Sequence, residues 1–288
     1  TIMPRIAYVN GAYERAGEAA VSIEDRGYQF ADAVYEVWSV FDGRLADLAG
    51  HLNRLERSLS ELRIALPMPR SSLLVVLNEV VRRNRIREGL VYLQISRGVA
   101  PRDHVFPVNV RPSVVITAKP VDRDAAARKA AVGLKAISMP DIRWGRCDIK
   151  TVGLLPNVLA KQRAKEQGAG EVIFVDSDGF VTEGGSTNVY IVVDGVIKTR
   201  SLTANILPGV TRLNLLPLIS ESGIELREDS FTLEAAKTAA EVFITAATSL
   251  VMPIIAIDDH KIADGKPGPI ACALREVYIE RARASADV

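Results

Sequence analysis

Leu48, Leu52, Leu55, Leu59 and Leu62 recur at helical spacing with polar His51, Asn53, Arg54, Glu56 and Arg57 between them, which predicts an amphipathic helix ended by Pro67. A second helix is expected on Leu74, Leu77, Val80 and Val81, capped by Ser71 or Ser72. Its basic end, Arg82-Arg83, suits the helix dipole and needs no nucleic acid to explain it. Strands are expected at 5–9 and 34–41, joined by a loop that includes 23–30. Asn10-Gly11 and Asp42-Gly43 are hairpin dipeptides, because glycine accepts positive φ. Strands at 90–96 and 113–118 flank a long loop, 97–112, and loops of that length in a compact domain are often functional.

The second half predicts another α/β unit. A helix over 157–167 stops at Gly168, and strands follow at 171–175, 189–193 and 196–199. Later helices are expected at 211–221, with Pro217 inside, at 232–240, and after Pro269. The charged, alanine-rich stretch near 120–130 suggests a boundary. The expected division is a domain of 1–120, a linker of 121–130 and a larger domain of 131–288.

The 288 residues are 48% hydrophobic and 25% charged, which suits one large or two modest globular domains. A net charge of +1 supplies no field to hold a nucleic acid or an anionic membrane, so neither is an expected partner. The apolar stretch 250–257 is broken by Pro253 and is far short of a bilayer span. The first residues show no secretory pattern, so a cytoplasmic location is expected. Two cysteines and three scattered histidines lack metal-ligand spacing, and no metal is expected. Chemistry therefore falls to lysine, carboxylates, hydroxyls or an organic cofactor.

Several motifs are excluded by context. Gly168-Ala169-Gly170 follows a helix and enters a strand, the reverse of a dinucleotide fingerprint. Asp176-Ser177-Asp178-Gly179 has its glycine too early for a calcium loop and reads as a hairpin turn. Glu183-Gly184-Gly185-Ser186 lacks the glycine spacing of a nucleophile elbow.

Four separated segments remain: Asp25-Arg26-Gly27-Tyr28-Gln29-Phe30 with Ala31-Asp32-Ala33-Val34-Tyr35-Glu36; Arg97-Gly98-Val99-Ala100-Pro101-Arg102-Asp103-His104; Cys147-Asp148-Ile149-Lys150-Thr151; and Val181-Thr182-Glu183-Gly184-Gly185-Ser186-Thr187-Asn188. In this order they resemble the fold-type IV pyridoxal-phosphate enzymes, and within them the D-amino acid aminotransferases, over almost the whole chain. The resemblance implies an α/β (α+β) fold of two domains, a small N-terminal α/β domain and a larger C-terminal one with a mixed sheet or pseudo-barrel. It implies pyridoxal 5'-phosphate between them, and a homodimer.

It also implies roles. Lys150 joins the cofactor covalently and moves the substrate's Cα proton. Free lysine is neutral in only about one molecule in 2,500 at pH 7, so a site beside other cations, such as Arg143 and Arg146, would help it. Glu183 partners the ring nitrogen, which must stay protonated for the ring to act as an electron sink. Arg54, Val210, Thr211 and Thr248 match the phosphate ligands, and a helix start after Pro208-Gly209 suits an anion independently. Arg143 counts among the cofactor's neighbours. Tyr35, Arg102 and His104 resemble the carboxylate grip of the D-specific enzymes, and Val37 lines the side-chain pocket. Two departures stand out: Gly185 replaces a usual serine, and Ala31 and Ala33 replace glycines around Asp32.

The implied reaction is transfer of an amino group from a D-amino acid to a 2-oxo acid. Rivals on the same fold are a branched-chain L-amino acid aminotransferase, an aminodeoxychorismate lyase and a non-catalytic binding protein.

Overall fold

The computed structural model describes residues 5–203 and 205–285. The chain forms two compact units: the described parts of Thr1–Asp122, Ile149–Gly153 and Ala282–Val288, and Arg123–Asp148 with Leu154–Arg281.

The first unit contains β1 (Ile6–Val9), β2 (Ala12–Arg15), α1 (Arg26–Phe30), β3 (Ala33–Phe41), β4 (Arg44–Leu45), α2 (Leu48–Glu61), α3 (Arg70–Arg83), β5 (Gly89–Ser96) and β6 (Ser113–Pro120). Its six strands form a sheet in the order β2-β1-β6-β5-β3-β4 with antiparallel pairing throughout. Asn10-Gly11 and Asp42-Gly43 make the tight turns, all four residues at positive φ. The leucine stripe of α2 packs Leu52, Leu55 and Leu59 onto Trp38, Val91 and Leu93 of the sheet. Each such side chain contributes about 1.5–3 kcal/mol through burial.

Three local expectations are corrected here. Residues 26–30, read as loop, form the short helix α1, because the Asp25 side chain accepts the Gly27 amide at its start and Ala31 closes it at φ 55. Helix α3 starts at Arg70 with Pro69 at its N-cap, so Ser71 and Ser72 lie inside the first turn and cap nothing. Residues 121–130, read as a linker, are mostly helical, since alanine and arginine favour helix.

The second unit contains α4 (Arg123–Val132), β7 (Leu134–Pro140), α5 (Leu155–Glu166), β8 (Glu171–Val175), β9 (Val181–Gly184), β10 (Asn188–Val193), β11 (Val196–Thr199), α6 (Val210–Glu221), β12 (Leu226–Arg227), α7 (Leu233–Lys237), β13 (Glu241–Ala246), β14 (Leu250–Ile257), β15 (His260–Lys261) and, as far as Arg281, α8 (Pro269–Ser285). Its nine-stranded sheet runs β12-β11-β10-β13-β14-β7-β8-β9, with β15 on β14. The sheet is mixed: β7 pairs in parallel with β8 and β14, and β11 with β12. The apolar stretch 250–257 is β14, and its pairing with β7 is irregular just beyond Pro253, between Ile254 and Ala256. Among the described residues no helix is long and apolar enough to cross a membrane.

Candidate active site

Lys150 is built into the first unit by strand-like bonds. Its carbonyl accepts the Tyr35 amide at 3.0 Å, its own amide faces Ser58 Oγ at 3.4 Å, and the next residue, Thr151, bridges Val34. The Lys150 ammonium lies 4.3 Å from the centre of the Tyr35 ring. Alternation along β3 leaves Tyr35 and Val37 half-buried and turns Glu36 fully inward.

Glu36 meets Arg54 and His51 of α2. Arg54 donates from Nε to Glu36 Oε1 at 2.7 Å and from Nη2 to Oε2 at 2.8 Å, while His51 Nδ1 donates to Oε2 at 2.8 Å. Burial pushes the Glu36 carboxyl up, but the Arg54 charge and these hydrogen bonds win and bring it down to about 2. Burial also lowers His51, against the pull of Glu36, so its ring is neutral near pH 7. Arg54 is thus held by a forked, charge-assisted contact on a rigid helix.

Arg102 and His104 lie on the loop 97–112, both exposed. The Arg102 guanidinium sits 4.5 Å from the Phe30 ring centre, and the His104 ring is 5.3 Å from the same ring. The structure therefore brings these two side chains together on one aromatic support.

In the second unit Glu183 is 6% exposed at the end of β9. Its carboxylate receives Arg143 Nη1, the Leu207 amide at 3.1 Å and Asn188 Nδ2 at 3.4 Å. Arg143 also binds Asp141 through Nε at 2.9 Å and Nη2 at 2.6 Å. Burial alone would lower Arg143; the Asp141 and Glu183 carboxylates outweigh it and hold the guanidinium firmly charged. Burial pushes the neighbouring Cys147 thiol up to about 11, which removes it as a nucleophile at neutral pH.

Helix α6, twelve residues long, begins at Val210 behind Gly209 without a side-chain cap, so its first amides lack a side-chain partner there. A Cβ at Gly209 would overlap Asn188 Oδ1. Thr211 is buried and its hydroxyl faces Tyr278 Oη at 3.4 Å, whereas Thr248 is exposed between β13 and β14. At Gly185 a Cβ would press on Lys161 Cε at 2.7 Å, within the ion pair that Lys161 makes with buried Glu171 at 2.5 Å.

Each unit by itself carries donors of the kind a phosphorylated, electron-withdrawing cofactor needs: in the first, a held arginine and an amine beside a phenol; in the second, a buried carboxylate fixed by three donors and an uncapped helix start. Sequence reading missed Glu36, His51, Asp141 and Asn188 as parts of this apparatus. For Glu36 a signal existed, because a glutamate on the inward register of an apolar strand requires a buried partner. Asp141 and Asn188 have partners close in the chain, Arg143 two residues on and Glu183 five residues back, but neither residue type at that spacing announces an ion pair or a hydrogen bond by itself.

Residues 33–257 match the amino-transferase class IV family model, and the chain belongs to that family. It is 42% identical over 261 residues to a D-alanine aminotransferase of Bacillus licheniformis, covering 91% of each chain. It is 40% identical over 272 residues to a D-alanine aminotransferase of Staphylococcus haemolyticus, covering 94% of this chain and 95% of that one. Among solved structures it is similar to a T.th. branched-chain amino acid aminotransferase with pyridoxamine 5'-phosphate, at TM-score 0.89 and 27% identity, over 100% of this chain and 96% of that one. The Escherichia coli branched-chain amino acid aminotransferase shares the fold, at TM-score 0.87 and 23% identity over 99% and 96% of the two chains.

Proposed function

We propose that the protein is a pyridoxal 5'-phosphate-dependent transaminase that moves the amino group of a D-amino acid, of the D-alanine or D-glutamate type, to a 2-oxo acid such as 2-oxoglutarate by a ping-pong route. The observation that carries this reading is the Arg102 and His104 pair on its Phe30 support, in a chain about two-fifths identical to D-alanine aminotransferases.

The cofactor supplies an aldehyde for the amino group and a ring that withdraws electrons from the substrate's Cα. Lys150 is the residue that would hold the cofactor through its aldehyde, and its amine, once free, would take the proton from the substrate's Cα. Tyr35, with Val37 beside it, lies next to that amine and lines the substrate side. Arg102 grips the α-carboxylate at two points and His104 adds a directional donor, which fixes the face that Lys150 deprotonates. Glu183 would keep the ring nitrogen protonated, and Arg143 pairs with Glu183 and orients it. Donors for the phosphate would come from Arg54 in the first unit and from the Val210 and Thr211 amides, the Thr211 hydroxyl and Thr248 in the second. The enzyme works in the cytoplasm, in keeping with its two free cysteines. It works as a homodimer, and the exposed face of Leu155, Val158 and Leu159 on α5 supports a covering partner.

The test is a matched pair of donors, D-alanine and L-leucine, with 2-oxoglutarate. The expected kcat/KM ratio favours D-alanine by about a hundredfold or more. A ratio favouring L-leucine selects the branched-chain L reading, the activity named for the solved structural neighbours. Release of pyruvate from aminodeoxychorismate without an amino acceptor selects the lyase. Borohydride should fix a pyridoxyl group on Lys150, and Lys150→Ala should abolish it.

A further inference from the structure

Asp32 follows α1, and its carboxylate joins two buried arginines from different parts of the first unit. Arg26 donates from Nε to Oδ2 at 2.8 Å, and Arg97 donates from Nε to Oδ2 at 2.7 Å and from Nη2 to Oδ1 at 3.0 Å. Arg26 is 3% exposed and Arg97 8% exposed. Burial alone would raise the Asp32 carboxyl; hydrogen bonds from Arg97 and Arg26 outweigh it and hold it below the usual range.

What each arginine does with its remaining donors is the informative part. Arg26 turns toward three consecutive main-chain carbonyls, those of Asp103 at 2.5 Å, His104 at 3.5 Å and Val105 at 3.4 Å. Its guanidinium also sits 4.7 Å from the Phe30 ring centre, the ring that supports Arg102 and His104. Arg97 donates to the Leu62 carbonyl at 2.7 Å and the Arg63 carbonyl at 3.0 Å, just beyond α2. The same guanidinium lies 3.6 Å from the Phe106 ring centre, and Arg63 lies 5.0 Å from it.

Residues 101–106 belong to no strand or helix, and their side chains are exposed. Such a segment is ordinarily mobile, yet here buried cations grip its backbone and its phenyl ring. The cations would repel each other without the carboxylate between them.

We propose that Asp32 is a positioning residue: by pairing Arg26 with Arg97 it locks the 101–106 segment in the conformation that presents Arg102 and His104 to a substrate carboxylate. The proposal rests on the reading above, in which those two side chains bind that carboxylate. It makes pre-organisation of an exposed loop a determinant of affinity for both the amino acid and the 2-oxo acid, since each carries the same group. A loop that spends only a fraction of its time in the competent form raises the apparent dissociation constant by the inverse of that fraction.

The experiment compares Asp32→Asn and Arg26→Gln with Arg102→Leu in the full-length, cofactor-loaded enzyme. Asp32→Asn should raise KM for D-alanine and 2-oxoglutarate by about tenfold or more, with kcat within about threefold of the parent and cofactor retention unchanged. Amide hydrogen exchange at 103–106, measured with and without cofactor, should quicken by about tenfold or more, while the β5 amides keep their protection. Adding Asp32→Asn to Arg102→Leu should give little further rise in KM, because both remove the same contact. If Arg102→Leu raises KM but Asp32→Asn and Arg26→Gln leave KM and exchange at parental values, the clamp is refuted and the functional reading stands. If Arg102→Leu leaves KM unchanged, the carboxylate reading fails and the proposal falls with it. If Asp32→Asn does not fold, Arg26→Gln carries the test alone, and a parallel fall in kcat and cofactor retention would overturn the positioning role.

Discussion

Glu36→Gln removes the charge from the centre of the Glu36, His51 and Arg54 cluster while keeping its shape. The native carboxyl titrates at about 2 against an ordinary 4.5, and Glu36 is 0% exposed. That depression corresponds to about 3 kcal/mol of folding stability. An independent route gives a similar figure, because stripping one partner from a buried ion pair costs about 3–5 kcal/mol. The pH dependence has a definite sign. A depressed carboxylate stabilises the fold fully above pH 4.5, and its contribution disappears as pH falls from there through about 2. The gap between parent and Glu36→Gln should therefore be about 3–5 kcal/mol at pH 7 and narrow by about 2 kcal/mol at pH 3. Trp38 is a local reporter for urea unfolding, being fully buried and 5.4 Å from the His51 ring. The other tryptophan, Trp144, is 47% exposed and can be removed as Trp144→Phe in both proteins. A gap under about 1 kcal/mol at pH 7, or one of equal size at pH 3, would refute the assignment of Glu36 as an ionised anchor for Arg54.

Two further outcomes follow from backbone geometry. Ala31→Gly should raise unfolding free energy by about 0.5–1 kcal/mol, since Ala31 sits at φ 55, where a Cβ is unfavourable; loss of stability in calorimetry would contradict that. Gly209→Ala should cost about 1–3 kcal/mol and weaken cofactor binding in equilibrium dialysis, because the new methyl displaces Asn188 from Glu183 and from the Leu207 carbonyl; unchanged cofactor affinity would separate the α6 start from the site.

The parts of the fold that were readable from sequence are those with a repeating cause. The leucine stripe of α2 and the Asn10-Gly11 turn carry their structure in local spacing, and both stand where they were expected. Helix α1 was invisible because five residues hold no period, and its start depends on one aspartate and its end on a left-handed alanine. Strand β13 was not foreseen, and Leu250–Ile257 was noticed only as an apolar stretch, since buried strands lack alternation. Among the candidate residues, Lys150 and Glu183 stand in motifs and Arg54 on the leucine-striped helix. What those motifs could not give was their partners. Arg143 was expected beside the cofactor for its charge, and the structure shows that charge balanced by Asp141 and Glu183. The basic and acidic residues of the Asp25 to Glu36 motif read as a signature, and the pairing of Asp32 with Arg97 becomes visible only when β3 and β5 lie side by side.

The five residues around Lys150 belong to the first unit although the chain on either side of them belongs to the second, and the four-residue end of the described chain rejoins the first through Arg283 with Asp42 and Ser285 with Asp47. No single scission can therefore separate the halves intact. A fragment ending at Asp122 would leave the Tyr35 amide without its acceptor and β3 without Thr151, so dissection or transplantation of this enzyme demands a spliced insert instead of a truncated gene.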